Sequence, residues 1–154
     1  MGLAGLEAGL ASHSTFCPGW YELQGEDRRY RDWKKTGHGE VTLKRALAES
    51  CDVYFYQRSQ DLLVDTLAAY ANSLGLGKKT GINLEHEKSG LIPTADWKLK
   101  KYQERWQQGE TLTIAIGQGF NLATPIPLNV MTVAIANSGI TYHPPSMQEH
   151  IDTA

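Results

Sequence analysis

Ser50, Cys51 and Asp52 place a hydroxyl, a thiol and a carboxylate in direct succession. If the backbone is extended across them, Ser50 and Asp52 point to one side and Cys51 to the other, because side chains alternate along an extended chain. The front of such a turn carries a hydroxyl that donates and accepts and an acid that accepts when ionised. The thiol lies on its back. Cys17 is the second thiol in the chain, and two cysteines permit one disulfide, one shared metal site or two unrelated thiols.

The stretch from Gly37 to Tyr56 must position this turn. His38 is flanked by Gly37 and Gly39. Leu43 and Leu47 then lie four apart on one face of a short amphipathic helix, with Lys44, Arg45 and Glu49 turned away. The pattern breaks at Ser50-Cys51-Asp52 into the aromatic run Val53, Tyr54, Phe55 and Tyr56. Upstream, Leu3, Leu6 and Leu10 predict a helix over 2–11 with no capping residue ahead of it. Gly2, Gly5 and Gly9 weaken that helix by about 1 kcal/mol each relative to alanine. Cys17-Pro18-Gly19 reads as a turn, and 20–23 and 30–33 as two short strands joined by a polar hairpin loop over 24–29.

Downstream, Asp65 is the expected N-cap of a helix carrying Leu67, Tyr70, Ala71 and Leu74, stopped by Gly75. The span 76–90 is glycine-rich loop, briefly extended over 81–84. Pro93-Thr94 opens a short helix bearing Trp97, Lys98, Lys100, Lys101 and Tyr102. Thr111 to Ile116 alternates polar and apolar ahead of Gly117-Gln118-Gly119. Thr124-Pro125 is a clean helix start, with Leu128, Met131 and Ile135 as the expected buried stripe and Asn137-Ser138-Gly139 as its end. Ile140 to Tyr142 reads as extended, Pro144-Pro145 blocks any helix there, and the last nine residues carry no pattern.

A chain of 154 residues suits one domain or part of a larger one. Its 41% hydrophobic and 21% charged content excludes disordered and membrane classes. Fifteen basic against seventeen acidic residues, net −2, argue against a nucleic-acid binder. No apolar run approaches the ~20 residues of a membrane span, and the start does not resemble a signal peptide.

Several strings in order resemble one family. They are RRYRDWKKTGHG (28–39), SCDVYFYQ (50–57), GLGKKTGI (75–82), EKSG followed by IPTADWK (87–98), and IGQG with TP four residues on (116–125). Together they resemble the penicillin-binding protein 2 family, the monofunctional class B peptidoglycan D,D-transpeptidases of rod-shape elongation, from about Leu3 to about Pro145. That family works by serine acyl transfer with S-x-x-K, S-x-N and K-T-G motifs. The serine attacks the D-Ala-D-Ala carbonyl, the lysine handles the proton, and backbone N–H groups stabilise the oxyanion. The resemblance implies that Ser50-Cys51-Asp52 is the second motif, with aspartate in place of asparagine. Ser50 and Asp52 are then the expected catalytic residues, Ser50 in the proton relay and Asp52 hydrogen-bonding near the substrate amide.

No serine here is followed by a lysine three residues on. The resemblance then implies a partial transpeptidase domain (1–154), starting just after the S-x-x-K motif and ending before the K-T-G motif. Lys79-Thr80-Gly81 spells K-T-G but reads as an ordinary loop directly after a helix stop. The expected architecture is mainly α with a small β-hairpin: part of the α/β penicillin-binding protein and β-lactamase-like fold, with most of the central antiparallel sheet missing and sheet-facing apolar surface exposed.

The resemblance also implies a metal. Zinc-bearing members carry ligands at positions matching Cys17, Asp32, His38 and Cys51, whose spacings here are 15, 6 and 13 residues. Two thiolates, an imidazole and a carboxylate suit tetrahedral Zn²⁺ and leave no position open for water, so the expected site is structural. It would brace Ser50 and Asp52 from behind. A Cys17–Cys51 disulfide and two buried free thiols stand as alternatives.

Arg28, Arg29, Arg31, Lys34 and Lys35 are expected as a solvated hairpin face, with anionic glycan or lipid headgroups as a further contact. Trp97, Tyr102 and Trp106 are expected to anchor a loop, with a peptide groove as the other reading. Gly117-Gln118-Gly119 lacks the third glycine of a dinucleotide fingerprint and is expected to allow close backbone approach. His13, His86, His143 and His150 are expected at the surface. Two functions remain. One is part of a transpeptidase that cross-links D-Ala-D-Ala stem peptides and binds β-lactams, with elongation-complex membrane proteins as partners, on the periplasmic side of the inner membrane. This chain by itself would then be inactive. The other is a stand-alone zinc-braced binding module without catalysis.

Overall fold

The computed structural model describes residues 1–10, 13–142 and 144. In chain order its elements are α1 (Gly2–Glu7), β1 (Thr15–Cys17), β2 (Trp20–Glu22), β3 (Arg29–Arg31), β4 (Gly39–Val41), α2 (Leu43–Glu49), α3 (Asp52–Ser59), α4 (Val64–Ser73), α5 (Ala95–Tyr102), α6 (Gln108–Ala115) and α7 (Pro125–Ala136). The architecture is mainly helical, as expected, and no extended central sheet exists among the described residues. The chain divides into two compact units, Met1–Leu67 with Thr94–Gly119, and Ala68–Pro93 with Phe120–Ala154.

The first unit is organised around α3. The aromatic run coils into a helix, with Asp52 in its first turn and Arg58 in its last, each favoured by the helix dipole. Val53, Tyr54 and Tyr56 face inward and join Cys17, Leu23, Tyr30, Val41, Ala46, Cys51 and Leu112 in one core. Strands β2 and β3 form the expected hairpin, with Tyr21 opposite Tyr30. A second antiparallel pair was not foreseen: β1 meets β4, with Cys17 opposite Gly39. Three-residue strands are too short to leave a readable alternation.

Helix α2 keeps Leu43 against the core but exposes Leu47, whereas Ala46 is fully buried. Arg45 and Glu49 pair on its outer side at 2.5 Å. Asp65 is not an N-cap. It lies inside the first turn of α4, and its Oδ1 accepts the N–H of Ala95 at 2.9 Å, the first of α5. The alternation over 111–116 has the period of a strand, yet 108–115 is helical. Thr111, Leu112, Ile114 and Ala115 are buried in a helical stripe, and Glu110 receives the N–H of Gln107 at 2.7 Å.

Lys98, on the short helix after Pro93-Thr94, is buried. Its Nζ lies 2.6 Å from Glu110, 3.5 Å from Glu104 and 3.1 Å from the carbonyl of Arg105. Trp106 donates to Thr111 Oγ1 at 2.9 Å, and Trp97 meets Tyr102 edge-on, so these aromatics hold the 103–107 loop. Arg28 and Arg29 lie over Tyr30 and Trp20 on a solvated hairpin face.

In the second unit, Leu91 and Leu122 form an isolated antiparallel bridge ahead of α7. The stripe Leu128, Met131 and Ile135 does not mark the inner side of α7. Pro127 and Ala134 are buried, while Leu128 and Ile135 are 41% and 52% exposed. Nearly every residue of PIPLNVMTVAIA is apolar, so periodicity cannot select a face. The face chosen is turned by one residue, about 100°. Lys79-Thr80-Gly81 sits in the 76–90 loop, where Glu87 Oε1 accepts from both the backbone N–H and the hydroxyl of Thr80, at 2.7 and 2.6 Å. Residues 81–84 are loop without a strand, as are 140–142. His13 and His86 are exposed; His143, Pro145, His150 and the last nine residues lie outside the described set.

The corrected faces can be tested by truncation. Leu112→Ala should cost about 2–5 kcal/mol by urea unfolding, because the side chain is fully enclosed. Leu47→Ala should cost well under half of that. Equal costs would show that α2 buries the side expected from its pattern.

Candidate functional site

Four side chains converge where the short elements of the first unit join. Cys17 ends β1. Asp32 follows β3. His38 precedes β4, and Cys51 is the residue before α3. All four are buried, at 1%, 4%, 5% and 0% exposure respectively. Their donor atoms lie within 4.8 Å of one another. Cys17 Sγ is 3.6 Å from both Asp32 Oδ2 and His38 Nδ1, and His38 Nδ1 is 3.6 Å from Asp32 Oδ1. Bonds of about 2.3 Å to sulfur and 2.0–2.2 Å to nitrogen or oxygen, at tetrahedral angles, put neighbouring donors about 3.5 Å apart. The cluster therefore has the donor types of a four-coordinate metal site, and Cys17, Asp32 and His38 have its spacing. Both cysteines are free thiols here, with no disulfide between them.

Backbone contacts fix the donors. Asp32 is joined to Gly19 by its N–H, and its Oδ1 accepts the N–H of Lys34 at 3.1 Å. Its Oδ2 accepts the N–H of Val53 at 3.3 Å, so it serves the open N-terminus of α3 across 21 positions of sequence. The turn after Cys17 and the turn before His38 touch through their glycines. Gly19 and Gly37 both have positive φ, +98° and +75°. A Cβ on Gly37 would overlap the carbonyl oxygen of Cys17 and come within 2.7 Å of Gly19 N. Only glycine permits that approach.

The Ser50–Asp52 turn is not extended throughout. Ser50 ends α2 in the left-handed region, φ 55° and ψ 52°; Cys51 alone is extended; Asp52 is already helical. Simple alternation therefore does not place Ser50 and Asp52 together. Ser50 is exposed, Cys51 is enclosed and Asp52 is half-buried, with the backbone N–H of Trp33 donating to its carboxylate. A left-handed non-glycine residue costs about 1–2 kcal/mol, and it is held from outside. Trp33 Nε1 donates to the carbonyls of Glu49 and Ser50 at 3.0 and 2.9 Å. The sequence reading missed this role of Trp33, because nothing local links it to a turn 16 or 17 positions away.

The surroundings are rich in acids. Burial, then Cys17 and Asp32, push the Cys51 thiol far up, although the N–H of Tyr54 opposes this. Burial and then Asp32 raise Asp52, while His38 and Trp33 oppose them. Burial, Asp52 and Asp32 push the Tyr56 hydroxyl up to about 12. Each of these groups would carry its negative charge more readily beside a cation.

Residues 1–153 match the family model described as the penicillin-binding protein transpeptidase domain. The chain is similar to the peptidoglycan D,D-transpeptidase MrdA of Escherichia coli K12, 42% identical over 144 residues, covering 92% of this chain and 23% of the relative. Stage V sporulation protein D of Bacillus subtilis is 34% identical over 124 residues, 80% of this chain and 18% of that protein. Among solved structures, penicillin-binding protein 2 of Pseudomonas aeruginosa in complex with WCK 5153 superposes with a TM-score of 0.89 at 41% identity, covering 93% of this chain and 33% of that one. The Helicobacter pylori penicillin-binding protein 2 in complex with MreC gives 0.87 at 39% identity, with 94% and 27% covered. The chain thus spans about a quarter of the length of the curated MrdA relatives it matches.

The glycine contact separates two costs. Gly39 also has positive φ, but nothing lies within 4 Å of its Cβ position. Gly39→Ala should cost about 1 kcal/mol from conformation alone. Gly37→Ala should lower the urea midpoint clearly further, since it also forces the Cys17 turn away. Matching midpoints would remove the close approach as a determinant of the site.

Proposed function

Because the chain belongs to the penicillin-binding protein transpeptidase family, we propose that it forms part of a serine-type peptidoglycan D,D-transpeptidase of the penicillin-binding protein 2 kind, with Ser50-Cys51-Asp52 as its second motif. In that reaction a serine hydroxyl attacks the D-Ala-D-Ala carbonyl and the terminal D-Ala leaves. The amine of a second stem peptide then takes the acyl group and frees the serine. β-Lactams acylate the same serine. The supporting observation is the turn itself: an exposed hydroxyl on a strained left-handed residue, with its neighbour's thiol buried among three other metal-type donors.

Ser50 passes a proton beside a lysine supplied by another segment of the domain. Asp52 stands where the general motif has an amide. Burial and then Asp32 push its pKa up, while His38 and the N–H of Trp33 oppose them, and its carboxyl oxygens can accept a hydrogen bond as an amide oxygen does. Cys17, Asp32, His38 and Cys51 would hold Zn²⁺, filling all four positions. The ion's contribution is structural: it ties the hairpin, the glycine turn and the start of α3 behind Ser50.

We propose that residues 1–154 correspond to the stretch of that domain between its S-x-x-K and K-T-G motifs. Exposed Leu47, Leu63 and Leu128 supply apolar surface for further segments of the fold to cover. Among the described residues no helix is long and apolar enough to cross a membrane. By similarity to the MrdA relatives and the MreC-bound structure, the whole protein works on the periplasmic side of the inner membrane, with stem peptides as substrates and an elongation-complex protein as partner.

Fluorescent penicillin tests the reaction. The 154-residue chain should take no covalent label, and the whole domain should label. Ser50→Ala in the whole domain should slow acylation by about 10²-fold or more, the scale of a lost proton-transfer group. Labelling of the isolated chain, or an unchanged rate in the variant, would refute the assignment. Metal analysis should find one zinc per chain, and chelation should expose two titratable thiols and lower the melting temperature. Two free thiols without metal would leave the stand-alone reading without its zinc and the turn without its brace.

A further inference from the structure

Nε2 of His38 is buried and has no hydrogen-bond partner among the described residues. The ring's other nitrogen, Nδ1, is the one 3.6 Å from Cys17 Sγ and Asp32 Oδ1. If Nδ1 binds a metal, the ring proton must sit on Nε2, and a buried N–H requires an acceptor. The acidic atom facing it is Oε2 of Glu49, 4.0 Å away. Trp33 closes another side, its ring edge-on to the imidazole at 5.6 Å.

Glu49 is itself fixed on both sides. Arg45 holds its carboxylate through Nε at 2.5 Å and Nη2 at 3.3 Å. Trp33 holds its carbonyl, together with that of Ser50. We propose that Glu49 is the positioning residue of the metal centre: its carboxylate takes the Nε2–H of His38, directly or through one water, and so aims Nδ1 at the ion. The inference rests on the metal reading above and adds the group that orients a ligand. It also makes the last residue of α2 belong at once to the metal centre and to the turn that presents Ser50. A helix-surface ion pair with Arg45 explains Glu49 without the histidine, and the test separates the two.

Zinc affinity is measured on purified protein by competition with a chromogenic chelator. Glu49→Ala should weaken zinc by about 10–100-fold, the usual cost of losing a ligand's hydrogen-bond partner. Glu49→Gln keeps an acceptor oxygen at the same place and should recover part of the loss. Arg45→Ala loosens the carboxylate but leaves the acceptor in place, so it should weaken zinc clearly less than Glu49→Ala does. Nitrogen-15 spectra of the zinc form should show His38 protonated at Nε2, with that proton's signal shifted in Glu49→Ala. One zinc per chain in the parent with undiminished affinity in Glu49→Ala would overturn the Glu49 role alone. Equal losses in Arg45→Ala and Glu49→Ala would assign the effect to the surface pair. No zinc in the parent would overturn both the metal reading and this one.

Discussion

The carboxylate of Asp32 is the constraint on which the first unit depends. A buried acid survives only where its oxygens are satisfied, and here the satisfying groups come from different segments. Oδ1 takes the N–H of Lys34 and faces His38; Oδ2 takes the N–H of Val53 and faces Cys17. A single side chain thus joins the hairpin, the glycine turn, the end of β1 and the first turn of α3. Moving any of these segments would leave a buried carboxyl oxygen without a partner, so their relative geometry is coupled.

That coupling gives the Ser50–Asp52 turn two differently fixed sides. Behind it, Cys51 is enclosed with the other three donors, and close packing around α3 leaves it no alternative position. In front, Ser50 is exposed in a conformation it would not choose alone, held by the indole of Trp33. An exposed side chain is held more precisely when its neighbours are locked by packing and hydrogen bonds. The arrangement supplies that locking from residues distant in sequence: Trp33 in front, and Asp32, His38 and Cys17 behind.

Where local chemistry decides local structure, the reading from residues holds. The Cys17-Pro18-Gly19 turn, the hairpin, the Thr94 and Thr124 helix starts and the helix from Pro125 are all observed. Where two patterns compete, it slips. Thr111–Ile116 alternates like a strand but belongs to a helix with Glu110 at its first turn. Asp65 has the chemistry of a cap and serves the neighbouring helix. Leu47 and the Leu128 stripe have helical spacing, yet packing selects the faces of Ala46 and Ala134. Lys98 carries a charge that suggests the surface, and two glutamates draw it inside.

The sequence alone determined which groups are available: four metal-type donors, a serine and an acid around the fourth of them, and strings that identify the family. It did so because these are properties of residue type and order. The tertiary structure decided that the four donors lie within 4.8 Å of one another, that Ser50 is left-handed while Asp52 leans on Trp33, and that Glu49 faces the histidine. Those facts arise from contacts between segments far apart in the chain, whose geometry is set by burial and by the need to pair every buried polar group.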